Sequence, residues 1–278
     1  MTQNYCIDSL PVLVMDSGVG GLSIAQEMRC LLPELPLLYL ADNAALPYGN
    51  KSEAWLKARV LNLVKSVLQE DNIRMLVIAC NTASTVVLDH LRAELKIPVV
   101  GVVPAIKPAS EYSGSGHIGL LATPGTVSRH YTDDLVKHFA EGCRVSRLGS
   151  TELVRLAEEK LAGKRICLSR LEQAMAPLFN QTDLDTIVLG CTHFPLLKPE
   201  LEQIAPRRIR WVDSGKAVAE RVQSLLQDMP QTSIVGQSQV KRNRALLTGP
   251  LCSGLKQSFD NMGYSSVQPL SGFSAGSL

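Results

Sequence analysis

The feature that most constrains this chain is a regular alternation of short apolar runs with helix-length amphipathic segments. The runs fall at 11–16, 37–41, 74–79, 99–103, 118–122, 144–148, 186–190, 209–212 and 244–248. Between them, segments at 20–31, 52–70, 82–95, 125–140, 151–162, 168–181, 197–204, 215–228 and 251–262 read as helices. Strand and helix in turn at this spacing predict parallel sheets with helices on both faces. The stretches RMLVIA (74–79) and TIVLG (186–190) are apolar throughout after their first residue. A strand covered on both faces reads that way, whereas a strand with one wet face alternates.

At 278 residues, the chain suits one large domain or two compact ones, at about 100–200 residues each. An internal echo favours two. The runs at 74–79 and 186–190 both end in a Cys followed by polar residues, Cys80-Asn81-Thr82 and Cys191-Thr192-His193. The runs at 11–16 and 118–122 both end in a polar turn, Asp16-Ser17-Gly18 and Thr123-Pro124-Gly125-Thr126. Asp16 precedes Cys80 by nearly the interval at which Thr123 precedes Cys191, which suggests a weak repeat. The expected fold class is α/β: two pseudo-symmetric domains, each a mainly parallel sheet flanked by helices, with the active site in the interdomain cleft. Crossovers near Pro104 and Asp213 give a discontinuous first domain, 1–103 and 213–278, and a second, 104–212. A loop is expected over 227–242, and little packing in the Ser- and Gly-rich stretch 265–278.

Composition excludes several classes. A hydrophobic fraction of 45% is enough to offset chain entropy, so the chain is not disordered over most of its length. Lys and Arg number 28 against 26 Asp and Glu, a net charge of +2. That balance lacks the basic stripe a nucleic-acid partner needs. No apolar run approaches the ~20 residues of a membrane span, so no membrane association is expected. Residues 1–8 contain no Lys or Arg, and the apolar stretch 10–15 stops at Asp16, which is unlike a secretory signal. The expected location is the cytoplasm. The seven Cys, at 6, 30, 80, 143, 167, 191 and 252, are odd in number and scattered, as free thiols in a reducing compartment would be.

Ligands of open α/β sheets bind at the carboxyl ends of strands, and the informative polar residues fall there. Asp16-Ser17-Gly18-Val19-Gly20-Gly21 permits a tight turn and a helix N-terminus that receives an anion. It lacks dinucleotide spacing and a phosphate-loop Lys. Asp42 to Gly49 (DNAALPYG) contains a rigid Pro-Tyr-Gly turn that would present Tyr48 and the Gly49 amide to a ligand. A Cys at a helix N-terminus has its pKa lowered by the dipole, which is the expectation for Cys80 and Cys191. Asn81, Thr82 and Thr192 place donors beside them, and Asp16 and His193 are groups able to exchange a proton with a thiol. Two such thiols in matching half-sites suit the inversion of a stereocentre, which needs one base on each face of a carbon. No cofactor and no metal are expected, since the Cys191-x-His193 pair is too close for a two-ligand motif.

With these residues in view, the chain resembles the glutamate racemases, cofactor-independent enzymes that interconvert L- and D-glutamate for bacterial peptidoglycan. The resemblance lies in DSGVGGLS (16–23), DNAALPYG (42–49), ACNTAS (79–84), GLLATPGTV (119–127) and LGCTHFPLL (189–197), in family order. It implies that Cys80 and Cys191 are the acid/base thiols, the first acting on D-glutamate and the second on L-glutamate. It implies that Asp16 assists Cys80 and His193 assists Cys191. Substrate contacts are carried onto Asp16, Ser17, Tyr48, Gly49, Asn81, Thr82, Thr192 and His193. Asp42 and Glu158 match further acidic residues near the site, with Glu159 an alternative to Glu158, and Thr123 is a weaker candidate for the pocket lining. Many members carry an Arg before the Pro-Tyr-Gly turn, where this chain has Ala45. That departure resembles the subset activated by a UDP-linked muramyl-alanine cell-wall precursor. Members are often homodimers, so a homodimer is implied.

Other readings stay open at this level. Aspartate differs from glutamate by one methylene, worth only about 1–3 kcal/mol in a pocket. A related racemase, a non-catalytic amino-acid-binding module and a thiol redox protein each fit part of the pattern.

Overall fold

The computed structural model describes residues 10–229 and 243–271. Two all-parallel sheets carry the fold. The first lobe begins with β1 (Val12–Asp16), α1 (Leu22–Leu31), β2 (Leu37–Ala41), α2 (Glu53–Glu70), β3 (Met75–Ile78), α3 (Asn81–Glu94) and β4 (Val99–Gly101). The chain crosses to the second lobe: α4 (Ile106–Tyr112), β5 (His117–Ala122), α5 (Pro124–Val127), α6 (His130–Phe139), β6 (Arg144–Gly149), α7 (Glu152–Leu161), α8 (Leu168–Phe179), β7 (Thr186–Leu189), α9 (Lys198–Ile204) and β8 (Arg210–Val212). It then returns through α10 (Gly215–Asp228) to β9 (Arg244–Leu247), α11 (Ser253–Asn261) and β10 (Ser266–Pro269), which extend the first sheet.

The strand orders are β10-β9-β2-β1-β3-β4 and β6-β5-β7-β8. With β9 and β10 set aside, the first sheet has the order of the second: β2-β1-β3-β4 matches β6-β5-β7-β8. The internal echo in the sequence is therefore a repeat of topology. In each lobe the first strand lies between its next two, so strand order reverses beside it. A crevice opens at the carboxyl ends at such a switch point.

Both faces of each sheet are buried, which is why the central strands lack polar alternation. Val12 and Val14 pack with α1, α10 and α11, while Leu13 and Met15 pack with α2 and α3. In β7, Ile187 and Leu189 face α7, α8 and α9, while Val188 faces α4. The two crossovers touch, with the Ser214 hydroxyl donating to the Val103 carbonyl at 2.5 Å.

The structure departs from the sequence reading in four places. The helix expected over 125–140 is broken into α5 and α6, because Thr123 caps the short first helix and Arg129 is extended between them. Helix α4 was hidden by Pro104 and Pro108. A proline early in a helix costs little, since its missing N–H would have no intrahelical partner there. Strand β10 lies in the stretch expected to pack little. It is a four-residue edge strand, half-exposed, and pairs in parallel with β9. A short strand with one partner has little apolar signature. The stretch after β7 turns through a 3₁₀ segment, Phe194–Leu197, before α9. Of the loop expected over 227–242, α10 takes the first residues and 230–242 lies outside the described residues.

Candidate active site

The loops after β1, β3, β5 and β7 meet between the two sheets. Cys80 ends the β3 loop as the residue before α3, and Cys191 follows β7; both are 6% exposed. Each sulfur has its own set of partners.

Cys80 Sγ lies 3.7 Å from Ser17 Oγ, and the Ala83 N–H of the first turn of α3 points at it. Both favour thiolate. Burial works against them and is larger, with the Asp16 carboxylate adding to it, so the Cys80 thiol is pushed up rather than down. The expectation of a dipole-lowered pKa is corrected here: in a dry cleft beside a carboxylate, desolvation outweighs a helix N-terminus.

Cys191 does not precede an α-helix at all, since a 3₁₀ turn follows it. Its partner is His193, whose Nδ1 lies 3.8 Å from the sulfur. His193 Nε2 in turn lies 2.6 Å from Glu158 Oε1 of α7. Burial alone would push the imidazole down. The hydrogen bonds to Cys191 and Glu158 outweigh it, and its pKa stands well above the usual histidine range. The neighbouring Glu159 instead pairs with Arg170, at 3.1 Å.

Asp16 is buried near Cys80 and His193. Its Oδ2 accepts the N–H groups of Gly18 and Gly21, each at 3.1 Å. Its Oδ1 is buried with no protein partner, as is Nδ2 of Asn81. Burial raises the Asp16 pKa against the attraction of His193. An unpaired acceptor and an unpaired donor beside the thiols suit the ammonium and carboxylate groups of an amino acid. Asn81, Cys191 and Thr192 border a void of only about 10 Å³. That is about the volume of one water.

Contacts across the cleft are close. Thr82 Oγ1 lies 2.9 Å from Thr123 Oγ1 and 3.2 Å from Thr126 Oγ1. Ser23 donates to the Thr192 carbonyl at 2.9 Å. A Cβ at Gly20 would lie 2.3 Å from His193 Nδ1, so only glycine lets the ring sit there. A Cβ at Gly125 would lie 2.5 Å from the Gly49 carbonyl oxygen.

Tyr48 and Asp42 are placed differently from their sequence reading. The Tyr48 ring is buried and its hydroxyl donates to Asp42 Oδ2 at 2.6 Å, rather than being offered to a ligand. A buried phenol takes a polar partner, and Asp42 is within reach. Asp42 also receives Arg59, at 3.0 and 2.8 Å, and Thr248, at 2.6 Å. Its oxygens are occupied, so it anchors the Pro-Tyr-Gly turn that brings Gly49 against Thr123. Arg59, Thr248, Thr126 and Gly20 were not singled out from sequence. Thr126 and Gly20 lie inside recognised motifs, whereas Arg59 and Thr248 carry no local signal. Among the described residues, no group of three or more His, Cys, Asp or Glu is arranged to hold a metal ion.

Comparison with known proteins finds relatives over most of the chain. The family model for Asp/Glu/hydantoin racemases matches residues 21–222. A glutamate racemase of Shewanella piezotolerans is 48% identical over 93% of this chain and 96% of its own length. The crystal structure of Escherichia coli glutamate racemase, in complex with L-glutamate and the activator UDP-MurNAc-Ala, superposes with a TM-score of 0.87 at 44% identity. It covers 94% of this chain and 98% of that one. A glutamate racemase isoform of Bacillus anthracis superposes with a TM-score of 0.78 at 28% identity, over 93% and 96% of the two chains.

Proposed function

Since the chain belongs to the Asp/Glu/hydantoin racemase family, and within it to the glutamate racemases, we propose that Cys80 and Cys191 are its two acid/base groups. The enzyme is an isomerase that interconverts L- and D-glutamate, the D-enantiomer serving peptidoglycan synthesis. One sulfur, as thiolate, removes the α-proton from one face. The other, as thiol, delivers a proton to the opposite face. Each turnover leaves the two sulfurs with exchanged protonation, so the reverse reaction, or proton transfer with the groups behind them, resets the site.

The observation that carries this reading is the pair of buried thiols at matching strand ends of the two sheets. The surroundings of the two sulfurs differ. Burial favours the neutral thiol at Cys80, while His193, held by Glu158 and favoured as imidazolium, stands 3.8 Å from Cys191. With Cys191 as base and Cys80 as acid, the reaction runs from L- to D-glutamate; with the roles exchanged it runs back. Asp16 takes the substrate ammonium on its unpaired oxygen, and Asn81 the carboxylate, where charge develops. Ser17, Thr82, Thr192 and Gly49 complete the walls. Tyr48, Asp42 and Thr123 act through the Pro-Tyr-Gly turn and the threonine cluster.

We take the two lobes as domains, 1–103 with 213–278 and 104–212, that part about the bonded crossovers at Val103 and Ser214 to admit glutamate. A cytoplasmic location fits the described cysteines, which are free thiols. No helix among the described residues is long and apolar enough to cross a membrane. Activation by a UDP-linked muramyl precursor is supported by a cavity of about 560 Å³ beside β4, with Arg92, Lys96 and Arg221 on its wall. Three cations suit a diphosphate. Equal rates with and without that precursor would remove this part of the reading.

The test of the thiols is substitution. Cys80→Ser and Cys191→Ser should each lower racemisation in both directions by about 10²–10⁴-fold, the usual worth of a positioned acid/base group. A near-normal rate in either variant would take that sulfur out of the reaction.

A further inference from the structure

Arg129 has no place in the proton-transfer scheme, yet its environment is unusual for a cation. It occupies the extended joint between α5 and α6 in the second lobe, and its side chain is 10% exposed. Its Nη1 reaches into the first lobe, donating to the Thr82 carbonyl at 3.1 Å and to Thr85 Oγ1 at 3.2 Å. Both acceptors belong to the opening turns of α3, immediately after Cys80. A cation at a helix N-terminus has the wrong sign for the helix dipole. Burying one there is costly unless it serves something other than the helix. Glu53, at the start of α2, lies 3.6 Å from Nε but is 62% exposed, and such a rim pair is worth little.

We propose that Arg129 is a positioning residue: it latches the second lobe onto the first turn of α3 and so sets the closed cleft around Cys80. This rests on the two-thiol reading for its consequence but not for its geometry. Thr82 is gripped twice from across the cleft, through its carbonyl by Arg129 and through its hydroxyl by Thr123 and Thr126. Together these contacts tie the turn carrying Cys80 and Asn81 to the lobe carrying Cys191. The break between α5 and α6 now has a use. A continuous helix over 125–140 would not leave Arg129 in the extended joint from which it reaches α3. Burial holds the guanidinium below its ordinary pKa, and the negative charges of Glu53 and of a Cys80 thiolate offset this.

The test uses the full chain with Arg129→Met, Arg129→Lys and Glu53→Gln. In the absence of glutamate, alkylation of Cys80 and Cys191 by iodoacetamide is followed by peptide mass spectrometry, alongside KM, kcat and thermal melting. Loss of two charge-assisted bonds across a closed cleft predicts alkylation at least about tenfold faster in Arg129→Met. KM should rise by a similar factor, more than kcat falls, with melting little changed. Arg129→Lys should recover part of both, and Glu53→Gln should lie near the parent. Unchanged alkylation and KM in Arg129→Met would overturn the latch. So would Met and Lys variants equally impaired in step with a lower melting temperature. Faster alkylation in Arg129→Met, with no racemisation by the parent protein, would leave the latch standing and remove the two-thiol reading instead.

Discussion

A buried carboxylate with an unpaired oxygen is expensive at the scale of the single residue, and Asp16 is that residue. Two backbone N–H groups satisfy Oδ2, none satisfies Oδ1, and burial raises the pKa. A carboxyl whose folded pKa is raised contributes stability that is full below its ordinary value near 3.8 and is lost as pH rises through the folded one. At neutral pH the protein therefore bears a cost that an amide would not. Asn in its place keeps an acceptor for Gly18 and Gly21 and removes the buried charge. Asp16→Asn should raise stability at pH 7 by about 1–3 kcal/mol, with the gain shrinking toward pH 4, and should cut racemisation at least about a hundredfold. Denaturant melts at the two pH values check the first part. A destabilised variant at pH 7 would mean that the ionised carboxylate is already compensated.

At the scale of the element, the site is made by loops that follow buried strands, and its tolerances are set by glycines. Gly20→Ala would place a methyl 2.3 Å from the His193 ring, which Glu158 holds from the other side at 2.6 Å. Either the ring moves off Cys191 or the lobes fail to close. Overpacking of this kind costs about 1–3 kcal/mol. The rate of Gly20→Ala should fall by more than its melting temperature suggests, and activity matching stability would show that the ring has room. Strands and most helices were legible in the sequence because burial on both faces, or on one, writes a period into it. Cys80, Cys191, Asp16 and His193 were legible because strand ends bring their loops together. The break at Arg129, helix α4 behind two prolines and the edge strand β10 were not, since turn chemistry and single-sided pairing leave almost no period. The bond from Tyr48 to Asp42 was not legible for a related reason. A Pro-Tyr-Gly turn looks outward in sequence, and only the remote partners of Asp42, Arg59 and Thr248, show that the phenol points in.

At the scale of the whole molecule, two sheets of matching order carry the two thiols at equivalent strand ends, β3 and β7. Strand order could not be read from sequence, although the paired motifs announced the duplication. Cys80 and Cys191 are both 6% exposed, and proton transfer between them and the α-carbon calls for a site from which water is excluded. The account stands or falls on proton transfer by two bases within that enclosure. The most direct measurement is α-proton exchange of L- and D-glutamate in deuterated water without added cofactor. Deuterium should enter the α-position mainly in the product enantiomer, from either starting enantiomer, because the sulfur that removes the proton is not the one that delivers its replacement. Deuterium entering the recovered substrate as fast as inversion occurs, or inversion with the original α-hydrogen retained, would contradict the two-base site.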